Sequence, residues 1–100
     1  MREVILSTEG DSALYLVPDA AAKNLESYCL KFCMDWLHHS PEAAKYRIPG
    51  GVCYTAADFI EYLNRYVFPR EPSKRLKYLG WIDPEGNLPE TYRQDPYFNF

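Results

Sequence analysis

Apolar positions in this chain follow two regimes. Near the start they form short unbroken runs; further on they recur in steps of three and four. Arg2 to Leu6 and Leu14 to Val17 are β-prone and nearly continuous in apolar residues. Alternating strands bury one face, whereas continuous runs bury both. Between them lies Ser7-Thr8-Glu9-Gly10-Asp11-Ser12, a cluster of turn formers. The pattern predicts an N-terminal hairpin with a longer loop, covered on both faces.

The period then changes. Asp19, after Pro18, is placed to cap a helix. Ala21, Leu25, Tyr28, Cys29, Phe32, Trp36 and Leu37 define one helical face, and Leu30, Cys33 and Met34 widen it. So wide a stripe predicts a central helix ending near His39-Ser40. Ser40-Pro41 restarts a short helix that reaches about Tyr46. Val52-Cys53-Tyr54 reads as a third short strand or an extended entry to the next helix. Thr55 and Asp58 form a capping-box pattern. The helix they open carries Phe59, Ile60, Leu63 and Val67 on one face, flanked by Tyr62 and Tyr66, and Pro69 ends it.

Beyond Arg70 the periodicity fades. Ser73 is placed to cap a single helical turn through Leu79, with Gly80 as its terminator. Asp83-Pro84-Glu85-Gly86-Asn87 is a turn signal. Trp81, Tyr92, Tyr97, Phe98 and Phe100 read as anchors of an irregular strap over the core. The sum is an α+β fold: an N-terminal β-hairpin packed on two main α-helices, with short helical turns and an aromatic C-terminal strap, in one domain over residues 1–100. A two-stranded hairpin needs cover at its outer edges. Pairing with a second copy, which gives a homodimer, and cover by the strap are the two ways to supply it.

Composition narrows the class. The 100 residues carry a net charge of -3 and are 47% hydrophobic and 16% aromatic. Aromatic, apolar chains of this kind fold, which excludes intrinsic disorder. No apolar run approaches the roughly 18 residues of a membrane helix. After Val4-Ile5-Leu6 come Ser7-Thr8-Glu9, so no signal peptide is expected. An odd count of 3 Cys gives no disulfide framework, and a cytoplasmic location is expected.

Candidate chemistry is sparse. Cys29 and Cys33, four apart on one helix, have no tight Cys-x2-Cys knuckle beside them and read as core, so no metal is expected. His38-His39 stand at a helix end, where they suit the dipole or face water. Phosphate-loop, nucleophile-elbow and dinucleotide signatures are missing, so neither cofactor nor catalytic residue is assigned. One segment departs from the average: Arg65, Arg70, Lys74, Arg75 and Lys77 stand against Glu71 alone, interleaved with Tyr62, Tyr66 and Tyr78. Cations among aromatic rings suit an acidic protein surface or a single nucleic-acid strand. The expected function is a non-catalytic interaction protein that binds a protein partner, a second copy of itself being one candidate, through these eight residues. A nucleic-acid accessory using the same surface is the alternative. An enzyme centred on Cys53 and His38-His39 is third.

Overall fold

The computed structural model describes residues 1–82 and 88–100. The expected turn at Asp83–Asn87 lies outside the described residues. Strands β1 (Arg2–Thr8) and β2 (Asp11–Val17) form the hairpin in full register, from Arg2 opposite Val17 to Thr8 opposite Asp11. The loop is shorter than the turn-former cluster predicts. Glu9 and Gly10 take φ values of 53° and 86°, the paired positive angles of a two-residue hairpin turn. Ser7 and Ser12 therefore join the strands and lie buried as a hydrogen-bonded pair, and Ser12 also donates to the Ile82 carbonyl.

Helix α1 (Asp19–Lys23) is short, and Asp19 is its first residue rather than its cap. After a break at Asn24, α2 runs through Leu25–Leu30, a π-helical stretch Lys31–Trp36 and a final turn Leu37–His39. Its buried stripe is narrower than the sequence suggested: Leu30 and Met34 are exposed. A 3₁₀ helix (Pro41–Tyr46) leads to a two-stranded ribbon of β3 (Arg47–Ile48) and β4 (Gly51–Val52). Of the two readings of Val52-Cys53-Tyr54, Val52 alone is in a strand, and Cys53 and Tyr54 lead into the next helix. Helix α3 begins with Ala56–Tyr62 and continues, again π-helical, through Leu63–Val67. Thr55 and Asp58 complete the capping box, and Thr8 Oγ accepts from the Ala56 amide at 3.1 Å.

The expected helical turn after Ser73 is a strand instead. Lys74–Trp81 is β5, an antiparallel partner of β2. A short strand β6 (Tyr97–Asn99) pairs parallel to β1. The sheet order is β5-β2-β1-β6, so both hairpin edges are paired within the chain. That removes the exposed hairpin edges on which the expectation of a homodimer rested. The strap covers one of them, as expected of it, through Phe98 and Phe100, while Tyr97 stays exposed.

Burial on both faces explains the continuous apolar runs. Val4, Leu6, Ala13, Tyr15 and Val17 face the helices; Ile5 and Leu14 face Leu79, Ile82, Leu88 and Tyr92. Phe32 centres the helical side, with the rings of Trp36, Tyr54, Phe59, Tyr62 and Phe100 at 5.3–6.2 Å. Much of the aromatic excess is therefore core.

Candidate functional site

Strand β5 is not a regular strand. Trp81 and Gly80 oppose Asp11 and Ser12; Tyr78 and Lys77 oppose Ala13 and Leu14; Arg75 and Lys74 oppose Tyr15 and Leu16. Leu79 and Leu76 are left without partners, each the extra residue of a β-bulge. Gly80, expected to end a helical turn, takes φ 77° beside the first of them. In a regular strand, residues three apart point to opposite faces. Two one-residue insertions cancel that alternation. Arg75, Tyr78 and Trp81 consequently stand in a row on the helix-side face, opposite Tyr15, Ala13 and Asp11. Lys77 and Lys74, opposite Leu14 and Leu16, belong to the other face.

The row forms one wall of a half-open groove with a cavity volume of about 470 Å³. Leu6, Ala13 and Tyr15 supply its floor, and the segment from Cys53 to Ala57 its opposite wall. Trp81 is 80% exposed and Tyr78 55%. The indole is nevertheless seated. A Cβ on Gly10 would lie 3.0 Å from Trp81 Cε3, so only a glycine lets the ring lie over the turn. This corrects the expectation that Trp81 anchors the strap.

Charge is unevenly spread along the groove. Arg75 marks one end, Glu9 and Asp11 the other. The Tyr78 hydroxyl donates to Asp11 Oδ1, which raises the hydroxyl's pKa above its ordinary value. Tyr15 is also raised, chiefly by burial; Arg75 opposes that rise and Asp11 adds to it, so both ends act on the groove floor. Burial, with Cys33 nearby, pushes Tyr54 up to about 12.

The sequence-predicted surface is thus divided. Lys74, Arg75, Lys77 and Tyr78 are together on β5, with Arg75 and Tyr78 in the groove. Tyr62, Arg65 and Tyr66 belong to α3, where the two rings pack on Trp36 at 5.0 and 5.3 Å and Arg65 pairs with Glu61 at 3.0 Å. Arg70 is exposed in the loop between. Trp81, Tyr54, Glu9 and Asp11 join the site without a local signal in the sequence, since the turn and the tryptophan that lies over it are some seventy positions apart.

Elsewhere, Cys29 is buried, and burial and the neighbouring Cys33 raise its pKa, the reverse of thiolate activation. Exposed Cys53 lines the groove, whereas His39 Nδ1 is engaged with the Asp35 carbonyl and carboxylate at 3.0 and 3.1 Å. Among the described residues, no three His, Cys, Asp or Glu side chains are grouped to hold a metal ion, and no helix is long and apolar enough to cross a membrane. Comparison with protein-family models, with curated proteins and with solved structures finds no match for this chain.

Proposed function

We propose that this chain is a non-catalytic interaction domain that holds an extended segment of a protein partner in the groove beside β5. The observation that carries the reading is the doubly bulged strand. Bulges re-aim side chains next to binding sites. Here they gather a cation and two exposed rings, residue types enriched at the energetic centres of interfaces, into one concavity.

The alternatives fit less well. Glu9 and Asp11 at the groove mouth repel the phosphates that a nucleic-acid strand would bring. A second copy pairing edge to edge through β5 would set Lys74, Arg75 and Lys77 against themselves, and like charges across strands destabilise. Three free cysteines suit a reducing compartment, so the partner is sought in the cytoplasm.

The test is photo-crosslinking in cells, with a photoreactive amino acid at position 78, at 81 or, as control, at 65. Discrete protein adducts at 78 and 81 but not at 65 are expected. Adducts that nuclease removes, or adducts equal at all three positions, overturn the reading.

A further inference from the structure

The groove is apolar in its floor and opposite in sign at its two ends, and that polarity constrains what it can hold. At one end the Arg75 guanidinium stands across from Tyr15. At the other, the indole of Trp81 lies against Gly10 with one face open, beside the carboxylates of Glu9 and Asp11. An indole face next to carboxylates favours a cation, by ring quadrupole and Coulomb attraction together. A guanidinium in the same groove favours a carboxylate. The two ends are separated by the four-residue step from Tyr15 to Asp11 on β2, about 13 Å at the usual strand rise.

We infer that the groove selects a dipolar peptide segment: extended, with an acidic side chain seated at Arg75 and a cationic one seated on Trp81 between Glu9 and Asp11, four residues apart. In an extended peptide, residues i and i+4 point to the same side and span that distance. The central residue of such a segment, i+2, points the same way and meets Tyr78. Segments carrying one sign of charge throughout meet repulsion at one end, which is how charge arrangement discriminates among partners. This inference rests on the partner-binding reading of the groove and adds the ligand's charge order to it.

Three capped peptides serve as probes: acetyl-Asp-Ala-Tyr-Ala-Lys-amide, its all-acidic analogue with Asp at both ends, and its all-basic analogue with Lys at both ends. Each is titrated to millimolar concentration into the labelled protein, and amide and indole N–H shifts are followed by NMR. Trp81→Phe distinguishes the Trp81 indole from that of Trp36. The dipolar peptide is expected to shift the Trp81 indole and the Arg75 and Tyr78 amides, and to bind at least about threefold more tightly than either analogue. Glu9→Lys, which Asp11 balances, should erase the dipolar peptide's advantage over the all-acidic one, and Arg75→Glu is expected to make the all-basic peptide the best ligand. Arg75→Gln, which removes the charge without reversing it, should erase the dipolar peptide's advantage over the all-basic one. Equal binding of all three peptides with shifts confined to the groove overturns the charge order and leaves the groove standing. Shifts outside the groove, or none with any peptide, overturn both.

Discussion

Gly10 and Gly50 offer a matched pair of perturbations. Their φ angles are nearly the same, 86° and 88°. A Cβ at Gly50 meets nothing within 4 Å, whereas one at Gly10 comes within 3.0 Å of Trp81 Cε3 and 3.2 Å of Cζ3. Alanine at either position carries the left-handed backbone penalty, about 1–2 kcal/mol. The steric component differs. Trp81 is 80% exposed, so its ring can swing away from a new methyl group at little cost in packing. Both substitutions should therefore lower stability by similar amounts, with Tm falling about 4–8 °C for each kcal/mol lost. Only Gly10→Ala should move the indole. Urea denaturation measures the first quantity. The Trp81 indole N–H shift measures the second, and Gly10→Ala should weaken peptide binding in the groove where Gly50→Ala does not. A Gly10→Ala protein that is destabilised like Gly50→Ala but keeps an unchanged Trp81 signal would falsify the seating of the ring on the turn. A Gly10→Ala cost several kcal/mol beyond that of Gly50→Ala would show the indole to be wedged rather than free to give.

Three further outcomes follow from the core and from β5. Phe32→Ala should cost about 3–5 kcal/mol by urea denaturation, because Phe32 is fully buried among five aromatic neighbours that cannot close the space; a loss under about 1 kcal/mol would sink the view that this ring centres the core. Tyr15, Tyr54 and Tyr78 hold their protons more tightly folded than unfolded, so their contribution is whole below the ordinary tyrosine value of 10.0 and is lost as pH rises from there through about 12, where Tyr54 ionises. Urea midpoints should fall across that window and fall less in Tyr54→Phe, and a curve identical in the two proteins would contradict the assignment. Deleting Leu76 removes one bulge without disturbing the pairing: Lys77, Arg75 and Lys74 then follow one another opposite Leu14, Tyr15 and Leu16, so Arg75, now two residues from Tyr78, should stay in the groove. NOE contacts between Arg75 and Tyr15 and between Tyr78 and Ala13 should both persist, and loss of the first would refute Leu76 as the inserted residue.

The two bulges also explain what the sequence hid. Hairpin and helices were legible because each follows its own period: unbroken β-prone runs at Arg2 to Leu6 and Leu14 to Val17, helical steps from Ala21 to Leu37, a capping box at Thr55 and Asp58. Strand β5 follows neither. Arg75, Tyr78 and Trp81 recur every third residue, as do Leu76, Leu79 and Ile82, and a step of three reads as helix. Only pairing with β2, 58 to 70 residues earlier in the chain, turns that step into two insertions in a strand. The parallel pairing of Ile5 with Tyr97 is likewise a long-range contact with no local signature. The charge anomaly was visible, but linear proximity grouped residues that the fold separates: Arg65 points along α3 to Glu61, while Arg75 turns into the groove. What disguised β5 as a helical turn is therefore what assembles the candidate site. Were Lys74–Trp81 to pair residue for residue with β2, the strand would be readable from its alternation, but Arg75, Tyr78 and Trp81 would not share a face.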